Sequence, residues 1–192
     1  ALCNEINYRI KQFDVEEIET VYIGGGTPSL LNKNHLHSIF NAINSHVKIK
    51  ENAEISIEVN PDDITDEILM EYENCGINRI SCGIQTLNDD ALKIVSRRAD
   101  VEKNRQALVK LSKNWGKEYS IDLICGLPEE NKLTFLNTIR DVINYKPDHI
   151  SMYSLTVEEE TPIYKMIEDG LLDEVESLIN KYDYNSQAGF YQ

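Results

Sequence analysis

Short runs of apolar, strand-forming residues recur five times along the chain, separated by stretches in which apolar residues repeat with helical spacing. The strand-like runs lie at 20–24, 54–60, 78–84, 118–125 and 148–154. A strand followed by a helix, repeated every roughly 25 to 40 residues, is typical of βα units on a parallel sheet. The pattern predicts an α/β fold, with residues 1-192 forming a single domain.

Several predicted strands alternate apolar and polar residues toward their carboxyl ends, whereas parallel strands buried on both faces are almost continuously apolar. The polar positions are Ser56, Glu58 and Asn60 on the second strand, Ser81, Gly83 and Gln85 on the third, and Ser120 and Asp122 on the fourth. The apolar faces are expected to pack against the helices, so the polar faces should line one shared space. This alternation indicates an open centre that holds a polar ligand.

The first strand runs into a loop of three glycines, a threonine and a proline, Gly24 to Pro28. Glycines are retained where the backbone must approach something closely, and at the carboxyl end of a parallel strand that is usually a ligand. Taken alone, the loop also fits a plain tight turn. It is neither a Walker phosphate loop nor a dinucleotide-binding fingerprint, since no Gly-Lys-Ser/Thr follows and Ser29 replaces the last glycine.

Four residues on or near the polar faces have side chains suited to a polar ligand. Glu58 and Asp122 offer carboxylate acceptors for hydroxyl or ammonium groups, and Gln85 can both donate to and accept from a diol. Arg97 presents a guanidinium fork that matches a carboxylate. For each residue the alternative is a structural ion pair or a solvated surface group.

Charge and cysteine usage limit the partners of the chain. Thirty-three acidic residues against 19 basic ones give a net charge of −14, which disfavours nucleic-acid binding. No apolar run reaches membrane-spanning length, so no transmembrane segment is expected.

The cysteines at 3, 75, 82 and 125 form neither a Cys-x-x-Cys pair nor a disulfide framework, and we predict no metal ligands among them. Cys82 and Cys125 are interpreted as small buried hydrophobic residues. A reducing, cytoplasmic location follows as the simplest expectation.

Four linked motifs at matching separations resemble the radical S-adenosylmethionine (SAM) proteins of the oxygen-independent coproporphyrinogen III oxidase family. The resemblance covers essentially the whole chain and rests on the segments 23–31 (IGGGTPSLL), 57–61 (IEVNP), 78–85 (NRISCGIQ) and 121–128 (IDLICGLP). It implies a partial (βα)6 TIM-like barrel that binds S-adenosylmethionine and a 4Fe-4S cluster at the strand carboxyl ends. It also implies a role in heme or porphyrin metabolism, and an oxidoreductase as the full-length protein.

The resemblance assigns ligand contacts to eight residues. Gly25, Gly26 and Thr27 would hold the amino end of the methionine moiety, with Glu58 nearby. Gln85 and Asp122 would bind the ribose, Arg97 the carboxylate, and Thr156 would lie beside the adenine through its backbone.

The chain departs from the family pattern because the Cys-x-x-x-Cys-x-x-Cys loop that holds the cluster is absent, as is the strand before it. The resemblance therefore implies a central barrel fragment with its first strand missing, truncated at both ends. No catalytic residue is assigned, and we expect this chain alone to be inactive. Loss of the neighbouring strand would leave the strand at 20–24 as an exposed edge, which predicts self-association into a two-fold dimer.

Three features favour the heme chaperone branch of this family over the true oxidases: Asn60-Pro61-Asp62 after the second predicted strand, Cys125 before Gly126, and the segment 154–162. Heme is accordingly a possible further ligand. The alternative is a non-catalytic carrier module that binds S-adenosylmethionine or heme.

Overall fold

A computed structural model of the chain describes residues 1–170 and contains one sheet of five parallel strands. The strands are β1 (Glu17–Ile23), β2 (Lys48–Val59), β3 (Arg79–Gln85), β4 (Glu118–Cys125) and β5 (His149–Ser154). They lie in sequence order, β1-β2-β3-β4-β5, and each pairs in parallel with the next. The sheet curls into a half-barrel. The predicted α/β fold of the partial-barrel type is therefore confirmed.

Seven helices surround the sheet in the described part of the chain. They are α1 (Leu2–Gln12), α2 (Lys33–Asn44), α3 (Asp66–Asn74), α4 (Asp89–Ile94), α5 (Val101–Lys110), α6 (Lys132–Ile143) and α7 (Pro162–Glu168). Side-chain caps fix where several begin: the Thr65 hydroxyl accepts the Ile68 amide hydrogen, and Asn131 forms a capping box with Thr134. For residues 186–192 the sequence predicts an irregular loop, and these residues lie outside the described part of the chain.

The start of β2 differs most from the sequence prediction, which places this strand at 54–60. The strand begins at Lys48, because Glu17 and Ile18 of β1 pair with Lys48 and Ile49. The register then shifts between Ile18 and Thr20, whose partners on β2 are Ile49 and Glu54, so the mostly polar residues 50–53 of β2 fall between two paired positions. Such a stretch carries no strand-like apolar pattern, so propensity alone gives no reason to extend the strand into it.

The helix-facing sides of the strands form the main core, as their apolar alternation predicts. Ile57 of β2 pairs with Ile80 of β3, Cys82 of β3 pairs with Ile121 of β4, and all four are fully buried. Trp115 is equally buried at the end of a π-helical turn, Leu111–Trp115, that follows α5. Its indole Nε1 donates to the carbonyl of Glu118, 2.9 Å away, and so ties this turn to the first residue of β4.

The two strand cysteines behave differently. Cys82 is fully buried in the core, as predicted, and burial raises the pKa of its thiol. The same interpretation is wrong for Cys125, which is only partly buried, with its Sγ atom 3.6 Å from the Ser154 hydroxyl. Cys125 is the last residue of β4, and the strand ends there at Gly126, which has a positive φ of 81°. Alternation predicts the side of the sheet correctly but not where the helix layer stops covering it.

No helix within residues 1–170 combines the length and apolar character needed to cross a membrane.

Candidate functional site

A polar cavity of about 330 Å³ opens at the carboxyl ends of the strands. This volume lies at the lower end of the range of small-molecule sites. Five of the eight residues assigned by resemblance line it: Gly26, Thr27, Glu58, Gln85 and Asp122. The polar strand faces thus converge on one space, as the alternation of β2, β3 and β4 predicts.

The glycine loop wraps around the Glu58 carboxylate. The Gly25 amide donates to Glu58 Oε2 at 3.1 Å, and the Tyr22 hydroxyl donates to Glu58 Oε1 at 2.6 Å. Gly25 and Gly26 have positive φ values of 77° and 59°, which glycine adopts without strain. A β-carbon on Gly24 would lie 2.5 Å from Cε1 of Tyr22 and 3.0 Å from the Glu58 carboxylate. The loop is therefore shaped around a carboxylate, which a plain tight turn would not require.

The hydrogen bond to Glu58 raises the pKa of Tyr22 to about 12, with a smaller contribution from burial. The phenol therefore stays protonated at neutral pH and continues to donate to Glu58.

Asp122 enters the cavity from the middle of β4 with one oxygen held and one free. The Ser81 hydroxyl donates to Asp122 Oδ2 at 2.8 Å, and Ser120 donates in turn to Ser81 at 3.0 Å. Asp122 Oδ1 is buried and has no hydrogen-bond partner among residues 1–170. Buried carboxylate oxygens without a partner are uncommon and costly. This oxygen is placed to accept a hydrogen bond from a ligand hydroxyl.

Gln85 ends β3 in a strained conformation, with a positive φ of 66°. The β3–β4 pairing is irregular between Gly83 and Gln85, so the last residue of the strand is turned out of register. Its amide Nε2 would lie only 2.7 Å from a β-carbon at Gly83. A left-handed, non-glycine residue costs on the order of 1–3 kcal/mol, and such strain is concentrated at functional sites.

Arg97 reaches the cavity wall from the segment after α4. Its Nη2 atom donates to Asn60 Oδ1 at 2.9 Å and to the Gly83 carbonyl at 3.0 Å, and burial lowers the pKa of the guanidinium. Within residues 1–170 the nearby carboxylates of Asp62 and Asp63 form ion pairs with Arg98 instead. The sequence leaves open a structural ion pair as the role of Arg97. Such ion pairs form at the neighbouring Arg98, whereas Arg97 donates to neutral acceptors.

Thr156 is exposed just after β5 and does not line the cavity, so its assignment beside the adenine stays a prediction. Eight further residues line the cavity, and four of them carry polar side chains that the sequence does not indicate as ligand contacts: Ser29, Asn60, Ser81 and Tyr153. Asn60 and Ser81 belong to the polar faces of β2 and β3, and that alternation is the signal that points to them. The strand alternation does not point to Ser29, which the fold brings to the cavity and whose hydroxyl donates to Asp63 Oδ2 at 2.6 Å.

The cysteines of the chain do not form a site for a 4Fe-4S cluster, which is held by several thiolates together. Cys3 lies on α1 with its thiol against the Ser38 carbonyl, and Cys75 follows α3 on the outer helix layer. Cys82 is enclosed in the core on the side away from the cavity. Only Cys125 lies near the strand carboxyl ends, so the thiolates of this chain do not converge on a common point and do not fit the cluster.

Comparisons with known proteins match the chain to one family and to proteins of heme metabolism. The family model of the radical SAM superfamily matches residues 3–142. Heme chaperone HemW of Synechocystis sp. is 37% identical over 175 residues, which cover 90% of this chain and 41% of that protein. HemW of Buchnera aphidicola subsp. Schizaphis graminum is 34% identical over 187 residues, covering 90% of this chain and 49% of that protein.

Among solved structures, coproporphyrinogen III oxidase (HemN) from Escherichia coli superimposes with a TM-score of 0.73 at 27% sequence identity. The alignment covers 94% of this chain and 44% of that one. The chain thus spans about half, or less, of the length of the relatives it matches. These similarities confirm the family resemblance that the four motifs indicate, and the chain belongs to the radical SAM superfamily.

Proposed function

We propose that the cavity binds S-adenosylmethionine in the orientation that the sequence motifs imply. Asp122 and Gln85 hold the ribose hydroxyls, and Arg97 lies toward the carboxylate. The loop from Gly25 to Thr27 holds the amino end, with Glu58 beside it. The observation that carries this proposal is the buried Asp122 Oδ1 without a partner among residues 1–170, which is matched by a ribose hydroxyl donor.

The charges around the cavity suit a ligand of this kind. S-adenosylmethionine carries an ammonium, a sulfonium and a carboxylate. Glu58 and Asp122 offer negative charge on one side, and Arg97 offers positive charge that forms no direct ion pair with a carboxylate among residues 1–170. S-adenosylmethionine supplies the radical chemistry of the superfamily when a reduced cluster is bound beside it, and the residues of this chain bind and orient it.

At the level of the whole protein, we propose a heme chaperone-type function in heme or porphyrin metabolism in the cytoplasm. The support is the similarity to heme chaperones over 90% of the chain at 34–37% identity, against 27% for the coproporphyrinogen III oxidase. The second candidate is oxidase activity of a longer protein. A carrier module without redox chemistry is favoured for this chain by itself, because the thiols of its described residues do not converge.

Asp122→Asn tests the assignment of the ribose site. We expect the variant to bind S-adenosylmethionine about 5- to 150-fold more weakly, as for loss of a hydrogen bond to a charged group worth about 1–3 kcal/mol. Equilibrium dialysis with labelled ligand measures the affinity. Asp141→Asn is the matched control, because that aspartate lies on α6 in an ion pair with Arg105. Unchanged affinity in both Asp122→Asn and Arg97→Ala would exclude this site.

Self-association through β1 stays a prediction. Within the described residues β1 is one edge of the sheet, and Tyr22 is 63% exposed on it. Edge strands present unpaired backbone groups that recruit other strands. We expect a dimer by light scattering at high micromolar concentration, with slow amide exchange at Tyr22 and Ile23. A strict monomer with rapid exchange at both amides would contradict the prediction.

A further inference from the structure

Three side chains with metal-binding atoms meet on the outer helix layer, away from the cavity. They are His37 on α2, and Glu71 and Cys75 on and just after α3. One ligand atom from each lies within 4.8 Å of the other two. Packing of α2 beside α3 brings the Nε2 atom of His37 to 2.7 Å from Glu71 Oε1.

The local sequence explains why the site is compact. Glu71 and Cys75 are four residues apart, so they lie on one face of α3 and its end. Cys75 Sγ lies 3.9 Å from Glu71 Oε1, the same oxygen that His37 contacts. The Glu71 side chain is only 11% exposed, which limits its freedom to turn toward water. One nitrogen, one oxygen and one sulfur atom therefore face a common point at the surface.

We propose that His37, Glu71 and Cys75 form a site for a borderline-soft divalent cation of the zinc type, with solvent as the fourth ligand. Zinc binds sulfur at about 2.3 Å and nitrogen or oxygen at about 2.0–2.2 Å, and sites with three protein ligands keep one open position. Those bond lengths in a tetrahedron separate the ligand atoms by about 3.3–3.8 Å. The 3.9 Å sulfur–oxygen distance lies just above this range, and the nitrogen–oxygen contact of 2.7 Å has to open by about 0.6 Å to admit the ion.

The donor set selects against other common cations. Ca²⁺ and Mg²⁺ require oxygen ligands, of which this site offers one carboxylate. Thiolate and imidazole together favour Zn²⁺ and its spectroscopic substitute Co²⁺. A carboxylate, a thiolate and a neutral imidazole would balance the charge of a divalent ion.

Lys33 is the one cation next to these ligands in the described part of the chain, and its position leaves the site open. Its Nζ atom contacts Glu71 Oε2 at 3.0 Å, not the Oε1 atom that the site uses. The Lys33 side chain is 65% exposed, so it can turn into water at little cost. Burial, followed by the Glu71 charge, raises the pKa of Cys75, so the ion must displace a proton from this thiol.

The test is an anaerobic titration of the metal-free chain with Co²⁺, followed by competition with Zn²⁺. The wild-type chain should bind one Co²⁺ with a sulfur-to-cobalt charge-transfer band, and Zn²⁺ should displace it. Cys75→Ser should lose the band and bind at least tenfold more weakly, and His37→Gln should bind at least tenfold more weakly. His35→Gln, which changes an exposed histidine on the same helix, and Cys125→Ser are the matched controls and should bind as the wild type does.

The melting temperature provides a second measurement that does not depend on the band. Zn²⁺ should raise it in the wild type and in both controls but not in Cys75→Ser, whose circular dichroism without metal should match the wild type. Equal Co²⁺ affinity in wild type, Cys75→Ser and His37→Gln would overturn the site and leave a simple ion-pair cluster. Loss of the band in Cys125→Ser alone would also overturn it, by placing the thiolate elsewhere.

Discussion

Trp115→Ala lowers the free energy of unfolding by about 3–5 kcal/mol, which is a large effect for a single substitution. The indole is fully buried, and its removal leaves a cavity that the surrounding strands and helices fill only in part. The substitution also leaves the Glu118 carbonyl without its side-chain donor. Because natural domains are stable by only about 5–15 kcal/mol, the variant should be close to unfolding at physiological temperature.

Urea unfolding followed by circular dichroism measures this effect. Leu133→Ala is the control, since that side chain is 63% exposed on α6 and its loss should change stability by about 0.5 kcal/mol or less. Trp115→Phe should retain most of the stability because it keeps an aromatic ring in the cavity. A Trp115→Ala variant as stable as Leu133→Ala would contradict the position of the indole in the core.

Gly24→Ala should disrupt the end of the cavity at which the glycine loop surrounds the Glu58 carboxylate. The new β-carbon would lie 2.5 Å from the Tyr22 ring and 3.0 Å from the Glu58 carboxylate, so one of these side chains has to move. Overpacking of this kind costs about 1–3 kcal/mol of stability. We further expect S-adenosylmethionine to bind about tenfold or more weakly, because Glu58 and the glycine loop lose their mutual positioning. The pKa of Tyr22 should fall from about 12 toward its ordinary value of 10, a shift that a spectrophotometric titration detects.

Gly26→Ala is the matched control for this prediction. A β-carbon there meets nothing within 4 Å, but the positive φ of 59° makes it strained. It should lose about 1–2 kcal/mol of stability through its backbone alone, while the pKa of Tyr22 stays near 12. Adding Tyr22→Ala to Gly24→Ala should restore part of the lost stability, because it removes the clashing ring. Failure of that rescue, together with an unchanged Tyr22 titration in Gly24→Ala, would disprove the clash.

Local sequence patterns predict the architecture well where one periodicity dominates. Period-two alternation correctly separates Ile57 and Ile121, which enter the core, from Glu58 and Asp122, which line the cavity. The strand bounds predicted for β3, β4 and β5 differ from the observed ones by a residue at most; Gly76 precedes β3, and Gly116 and Gly126 flank β4.

Local sequence patterns do not predict which side chains contact each other when the residues are distant in the sequence. The Arg97 side chain is held by Asn60 and the Gly83 carbonyl, which are distant in sequence and not foreseeable from its neighbours. The same applies to the contact between His37 and Glu71, which depends on how two helices pack. The strained backbone of Gln85 likewise arises from the shifted β3–β4 register and not from its own residue type.

The strand order has a consequence for how the chain acquires its structure. Every strand in the described sheet hydrogen-bonds only to its immediate predecessor and successor in the sequence, so no pairing has to wait for a remote part of the chain. A nascent chain emerging amino terminus first can dock each βα unit on the one already formed. Loop-closure entropy is then lost in small, similar increments, one crossover at a time. Assembly by successive addition also means that the cavity appears late, because Gly26, Gln85 and Asp122 are brought together only once β4 has docked.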